Sequence, residues 1–299
     1  MARYVVTGAS GRIGSAIVRL LSADHHSVIG VDRVASAHTK AIGDIRDLGF
    51  MARVSTGADA VIHTAALHAP HVPVTSEKEF VQINVDGTDT VLKAMQANGV
   101  KRMVFTSTTA LFGYASQQDA RASWIDETTR PRPRTIYHRT KIEAEQMLHA
   151  AANADLTVRI IRMSRCFPEP APLMALYRLH RGVDARDVAQ AHVRALKQDG
   201  AACDVFIISA RTPFHKSDAE ALWSDAASVV HLRAPDVAKA YAQRGWDLPQ
   251  RIDRVYDSAR AQAELGWQAE YGAHAVLDQL DAGSPEVLMP DAAGSAIQE

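Results

Sequence analysis

The chain has 299 residues, enough for one large domain or a domain with a small cap. Apolar residues make up 47%, charged residues 22%, and the formal net charge is −1, a globular composition without the basic excess that a nucleic-acid partner requires. Cys166 and Cys203 form no disulfide framework, no apolar run approaches the ~18–20 residues of a membrane span, and the N-terminus enters a strand at once with no room for a signal peptide, so a reducing, cytoplasmic setting is expected.

In chain order, Tyr4–Thr7 reads as a short buried strand. Ile13–Ser22 follows as a helix with Ile13, Ile17, Leu20 and Leu21 at helical spacing. Ser27–Val31 and Ala60–His63 are the next strands. Phe80–Asn98 is a long helix with Val81, Val85, Leu92 and Met95 at its apolar positions. Lys101–Thr106 is a strand, Tyr137–Ala151 a helix, and Thr157–Ile161 and Val205–Ile208 complete the strands. Continuous apolar strands separated by amphipathic helices predict an α/β, Rossmann-type doubly wound parallel sheet covered on both faces. After Ala210 the alternation fades. Lys216–Ala227, Ala234–Gln243 and Ser258–Leu265 read as helices that, with Phe167–Arg181, would form a small C-terminal cap. The predicted organisation is a dinucleotide-binding domain over 1–166 and 183–210, a substrate cap over 167–182 and 211–282, and a disordered tail over 283–299.

The first strand runs straight into Gly8-Ala9-Ser10-Gly11-Arg12-Ile13-Gly14. Glycine is needed where the backbone turns sharply and approaches a pyrophosphate, and the following helix N-terminus offers free N–H groups to the phosphates. The triplet follows a strand and opens a helix, the context that makes Gly8, Ser10, Gly11, Arg12, Ile13 and Gly14 a dinucleotide site. Asp32 ends the second strand, roughly 20 residues on. A carboxylate there accepts from both ribose hydroxyls and repels a 2′-phosphate, which favours NAD over NADP; Arg33 is a counter-signal, since arginine accommodates that phosphate.

Tyr137 and Lys141 are four apart at the start of a helix and so share a face. A tyrosine of unperturbed pKa ~10 is a poor base near neutrality; a neighbouring ammonium and the positive nicotinamide ring of NAD both favour its phenolate. The strand ending at Thr106 leads into Ser107-Thr108-Thr109. Hydroxyls at the carboxyl end of a strand in a doubly wound sheet stand where a ligand sits and can hydrogen-bond a substrate oxygen as charge develops.

With these motifs, in this order, the chain resembles the extended short-chain dehydrogenases/reductases, the NAD-dependent epimerase/dehydratase group. The resemblance runs from Arg3 to about Leu280 and includes Gly43-Asp44-Ile45-Arg46-Asp47, His63-Thr64-Ala65-Ala66, Asn84-Val85-Asp86-Gly87-Thr88, Asp187-Val188-Ala189 and Leu265-Gly266-Trp267. It implies that Asp44 and Ile45 contact adenine, that Ala65 and Ala66 pass the cofactor backbone, and that Asn84 belongs to the cofactor site. It makes Tyr137 the proton donor/acceptor, and Lys141 the residue that holds the nicotinamide ribose and depresses the tyrosine pKa. Alignment on Phe112-Gly113 places the catalytic hydroxyl on Thr108, with Ser107 as the alternative.

Nucleotide-sugar dehydratases of this group carry Asp-Glu after the catalytic threonine. Here Thr109-Ala110 stand there, and neither is an acid or base near neutral pH. Cys166-Phe167-Pro168-Glu169-Pro170 is similar to the corresponding segment of uronate dehydrogenases, although no arginine follows before Arg178; Arg165 is the candidate substitute. His68 is a further candidate substrate contact, and no metal-ligand spacing is present. The expected activity is hydride transfer between NAD and a sugar or sugar-acid hydroxyl or hemiacetal, with a nucleotide-sugar epimerase as the alternative and a non-catalytic dinucleotide sensor as the alternative of another class. A homodimer through Phe80–Asn98 and Tyr137–Ala151 is expected, because Val81, Ile83, Val85, Val91, Leu92, Ile142, Ala144, Met147 and Leu148 exceed a single apolar stripe. No nucleic-acid or membrane partner is expected.

Overall fold

The computed structural model describes residues 1–116 and 120–289. Among the described residues the strands are β1 (Arg3–Thr7), β2 (Ser27–Asp32), β3 (Ala41–Ile42), β4 (Ala60–His63), β5 (Arg102–Thr108), β6 (Ser123–Ile125), β7 (Thr157–Met163), β8 (Cys203–Ile208) and β9 (Arg254–Tyr256). Seven of them form a parallel sheet in the order β3-β2-β1-β4-β5-β7-β8, while β6 and β9 pair separately, also in parallel. The β-branched run of β1 explains its central place. Val5 and Val6 are both fully buried but enter opposite cores, as alternate residues of a strand must. One core holds Val6, Ile62 and Phe206 under the helices Arg12–Ala23 and Ala185–Ala195. The other holds Val5, Val61 and Met103 under Gly87–Ala97 and Ile136–Ala151. Strand order reverses between β1 and β4, so their carboxyl ends open a crevice for a ligand.

The expected doubly wound sheet is present, with differences in detail. The long helix foreseen over Phe80–Asn98 begins earlier and is interrupted: Glu77–Val81 leads into a wide turn, Gln82–Asp86, before Gly87–Ala97. Single wide turns of this kind inside helices are frequent at functional sites, and Asn84 lies at the centre of this one.

The division between domain and cap also differs from expectation. Strand β6 lies inside the stretch 1–166 yet pairs with β9 of the cap. The helix Ala259–Leu265 and Trp267, expected in the cap, belong to the core of the large sheet; the buried Trp267 indole donates to Asp187 O at 2.9 Å. The cap proper is a helical cluster around Leu176, Leu222, Val230, Tyr241 and Leu277. The tail expected from Gly283 onward is ordered in its first part, because Val287 is buried in the cap and Leu288 makes backbone bonds to Glu169 and Ala171. Residues 290–299 of that stretch lie outside the described residues.

Ile83, Val85, Val91, Leu92, Ala144 and Leu148, counted toward a dimer face, are buried within the single chain. Val81, Ile142 and Met147 keep partial exposure. Among the described residues no helix is long and apolar enough to cross a membrane.

Candidate active site

The dinucleotide end is made by the turns that follow β1 to β4. Gly8 has φ of +72°, and a Cβ on it would stand 2.6 Å from Thr64 Oγ1; a Cβ on Gly14 would stand 2.0 Å from Gly8 O. Both positions therefore require glycine, the first by backbone conformation as well as space. Asp32 accepts from Ser10 N–H (3.0 Å) on Oδ2 and from Val34 N–H (3.1 Å) on Oδ1. Each oxygen has taken one backbone bond and retains capacity for another. The Asp44 carboxylate is gripped by Arg46 (Nη2 to Oδ2, 2.6 Å), whose hydrogen bond holds it below the usual carboxylate range. Arg33 is largely exposed and stands 3.9 Å from the same carboxylate. Ile45 is buried and packs on Gly87. A glycine cradle that a Cβ would fill, a helix N-terminus and a carboxylate with spare acceptor capacity fit NAD.

A buried hydrogen-bond chain braces this end. His63 lies between Thr7 Oγ1 (2.6 Å) and Thr88 Oγ1 (3.1 Å), and Thr88 donates to Asn84 O (2.7 Å). One proton arrangement satisfies all of it: Thr7 donates to Nδ1, and Nε2–H donates to Thr88. The imidazole is then neutral, in keeping with burial and the Lys141 charge pulling its pKa down to about 3. Thr7 Oγ1 also receives Thr64 N–H and Ala65 N–H, which sets the Ala65-Ala66 turn along the crevice.

The reactive groups meet where this crevice reaches the end of β5. Tyr137 and Lys141 lie on one face of Ile136–Ala151, and the Thr108 side chain is the polar neighbour that acts on the Tyr137 phenol. Burial pushes the phenol up to about 12, only partly opposed by Thr108. Lys141 Nζ donates to Thr106 O at 2.7 Å and rests 3.8 Å from the centre of the Phe105 ring. Burial pulls it down to about 7, against the pull of Glu145. The lysine is aimed at the strand end and is absent from the groups that act on the phenol. The depressed tyrosine expected from the sequence is thus not a property of the protein alone; desolvation wins and the phenol is held protonated.

Ser107 is turned elsewhere. Its hydroxyl donates to Glu145, which forms a buried ion pair with Arg162 (2.7 Å). Of the two adjacent hydroxyls, Thr108 is the one that meets Tyr137. Asn84 also departs from its expected place. Its Oδ1 accepts from Leu67 N–H (2.8 Å), and its Nδ2 donates to Leu67 O (2.9 Å) and Thr140 Oγ1 (3.1 Å). With both N–H groups used and Oδ1 accepting from Leu67, it clamps the turn after β4 to the Tyr137 helix and does not line the cleft.

The remaining cleft, about 1330 Å³ in all, exceeds the roughly 300–1,000 Å³ of a common small-molecule pocket, leaving room for a dinucleotide and a second ligand. His68 lines it, stacked on Phe167 with ring centres 5.7 Å apart, and burial lowers its pKa. Arg165 lines it too, but Glu169 grips its Nε at 2.7 Å, so a structural ion pair already occupies the guanidinium. Sequence reading missed Arg134, Arg181, Trp223, Arg251, Arg254 and Tyr256, all of which line the far end. Arg181 and Arg254 share Asp253 (3.6 and 2.6 Å), Arg134 lies over Tyr114 and Arg251 over Trp223. Their sequence signals are weak: Arg134 ends the run Arg130-Pro131-Arg132-Pro133-Arg134, Arg251 and Arg254 stand three apart, and Arg181, Trp223 and Tyr256 belong to no pattern.

A family model described as the NAD dependent epimerase/dehydratase family matches residues 4–170, more than half of the chain. The chain belongs to that family. Over 163 residues it is 31% identical to a UDP-glucose 4-epimerase of Streptomyces lividans, covering 51% of this chain and 48% of that protein. It spans about half the length of the curated relatives it matches. In fold it is similar to a UDP-N-acetylglucosamine 4-epimerase from Bacillus cereus, with TM-score 0.70, 19% identity and 94% and 98% of the two chains covered. It is likewise similar to a mutated uronate dehydrogenase, with TM-score 0.67, 20% identity and 97% and 89% covered. NAD is the cofactor of the family to which the chain belongs.

Proposed function

We propose that this protein is an NAD-dependent oxidoreductase acting on a hydroxyl or hemiacetal of an anionic sugar or sugar acid. The observation that carries the reading is that Thr108, Tyr137 and Lys141 line the same cleft as the glycine turn, Asp32 and the arginines of the far end. NAD, when bound, supplies the hydride acceptor or, reduced, the hydride donor. Gly8 to Gly14 would hold its diphosphate, Asp32 its adenosine ribose, and Lys141 its nicotinamide ribose. Thr108 and Tyr137 would orient the substrate oxygen. Tyr137, protonated in the protein alone, gives its proton to that oxygen in reduction; in oxidation it would first release that proton to solvent, which the positive nicotinamide ring of NAD favours, and then take the substrate's as phenolate. The arginines of the far end support an anionic substrate, because guanidinium groups match carboxylate and phosphate. Thr109 and Ala110 beyond Thr108 supply no acid or base for elimination of water.

The second reading is a nucleotide-sugar 4-epimerase, favoured by the similarity to the UDP-glucose 4-epimerase of Streptomyces lividans and by an Arg165 already held by Glu169 instead of standing free for a carboxylate. A screen of sugars, uronates and nucleotide sugars, following NADH absorbance and sugar products together, separates the two. A dehydrogenase builds up NADH in step with product, whereas an epimerase gives product with no net absorbance change. NAD binding without turnover of any carbohydrate would leave a dinucleotide sensor.

The free thiols Cys166 and Cys203 support a cytoplasmic setting. A homodimer belongs to the same reading on the strength of Val81, Ile142 and Met147; a single-chain mass by sedimentation at micromolar concentration would remove it.

A further inference from the structure

After the helix Ala273–Asp281 the chain turns back across the junction between cap and sheet. Leu288 N–H donates to Glu169 O (3.0 Å) and Ala171 N–H donates to Leu288 O (3.0 Å), so a single β-bridge at Pro170 pins the segment. Val287 is buried among the cap residues. One residue before it, Glu286 reaches Arg12, with Oε2 2.6 Å from Nη2. Arg12 opens the helix of the glycine turn and lines the cleft, and its Nε is buried without a hydrogen-bond partner. Residues 284–289 therefore form a strap. One end is anchored beside Glu169, which holds the cleft residue Arg165, and the other is closed on the dinucleotide turn by one ion pair.

We propose that this strap is a working part of the dinucleotide site, and that Glu286 competes with the dinucleotide diphosphate for Arg12. The inference rests on the dinucleotide reading of the cleft given above. The free N–H groups of a helix N-terminus already favour an anion there, and Arg12 adds a full positive charge on a flexible stem. With the strap closed, Glu286 neutralises that charge and places a carboxylate near the phosphates. A diphosphate draws the guanidinium toward itself and repels the carboxylate, so strap closure and dinucleotide binding disfavour each other. Such coupling is reciprocal: whatever factor strap opening adds to dinucleotide affinity, the dinucleotide adds to strap opening.

Two measurements on the full chain test this, with NAD itself as the probe. By titration calorimetry, Glu286→Gln is expected to bind NAD about 2–5-fold more tightly than wild type, the size of one partly exposed ion pair. Arg12→Met should weaken NAD, and adding Glu286→Gln to it should bring no further gain. By hydrogen exchange, saturating NAD should speed exchange of the amides of residues 284–289 in wild type, Leu288 included. Unchanged or weaker NAD binding by Glu286→Gln, or slower exchange of the strap when NAD binds, overturns the competition. If wild type binds no dinucleotide at all, the reading of the cleft fails first and takes the strap with it.

Discussion

The two ends of the cleft are built on different plans. The dinucleotide end is local: residues 8–14, 32–33, 44–45 and 64–66 come from four successive strand ends, those of β1 to β4, and backbone geometry shapes them. The substrate end is collected from far apart. Arg134, Arg165, Arg181, Arg251 and Arg254 arrive from separate segments and are held by carboxylates and rings, among them Asp253, Glu169 and Trp223. A site made of backbone turns demands a few residue types at fixed spacing. A site made of side chains converging on a cavity demands only that they arrive, which leaves it free to change ligand without changing fold.

The largest expected effect tests whether the two ends stand or fall together. His63 at the dinucleotide end, His180 at the substrate end and His192 between the sheet and its helix are buried, and desolvation lowers the pKa of each, to about 3 for His63 and about 4 for His192. Their unfolded values lie near ~6.5. The unfolded chain then binds more protons than the native one across this window, so stability is fully present above pH ~6.5 and is lost as pH falls toward the folded values. Thermal unfolding should therefore drop steeply between about pH 6.5 and 4, in one transition. Two separated transitions would show that the ends are independent units.

The next effect belongs to the junction. Tyr137→Phe keeps the ring but removes the proton-transfer group beside Thr108, and turnover should fall by about 10²–10⁴-fold, the usual worth of a positioned acid–base group. NAD affinity should change little. Near-normal turnover would take Tyr137 out of the chemistry. Thr108→Ala should also lower turnover; if Ser107→Ala did so while Thr108→Ala did not, the Glu145 bond of Ser107 would have to break during catalysis.

What could be read in the sequence follows the same division. Gly8 to Gly14, Asp32, Tyr137 and Lys141 were legible because spacing on one strand–turn–helix or one helix face already implies where they point. Asn84 was found as part of a motif, but a motif does not say which atoms an amide meets, and here it clamps Leu67 and Thr140. Strands β6 and β9 are three residues each, too short for a period, so Arg251 and Arg254 beside them were assigned to the cap but to no element and no role. The strap was read as disorder because the stretch from Gly283 onward is rich in Pro, Gly, Ala and Ser, with few apolar residues. Its order comes from one buried valine, one β-bridge and one ion pair, none visible in an average.

At the dinucleotide end, Asp32→Ala should weaken NAD by about one to two orders of magnitude, since charge-assisted hydrogen bonds worth roughly 1.5–3 kcal/mol are removed. Two of the carboxylate's contacts are to its own backbone, Ser10 N–H and Val34 N–H, so part of the loss is looseness of the turn. Asp32→Asn, which keeps acceptor capacity on one oxygen, should lose less. NADP should gain in either variant, because Arg33 is exposed and free of a tight partner at 3.9 Å from Asp44. Dissociation constants of both cofactors for the three proteins decide this, and tighter NADP than NAD binding by wild type would hand the pocket to Arg33.

The smallest effect is expected at the substrate end. Arg251 is exposed, with its guanidinium 4.2 Å from the centre of the Trp223 ring and its Nε donating to Trp223 O at 3.2 Å. It lines the cleft, and its charge is screened by water. Arg251→Ala should therefore raise the KM of an anionic substrate only about 2–5-fold, the range of an exposed ion pair, and the effect should shrink as salt is raised. The turnover number and NAD affinity should stay near wild type, because Arg251 reaches neither Tyr137 nor the glycine turn. Arg251→Lys should recover part of the loss through its charge, but not the planar stacking on Trp223. A fall in turnover with KM unchanged would break the division between the two ends. It would mean that a group at the cleft mouth helps place the reacting oxygen beside Tyr137, and that the substrate end takes part in the chemistry as well as in recognition.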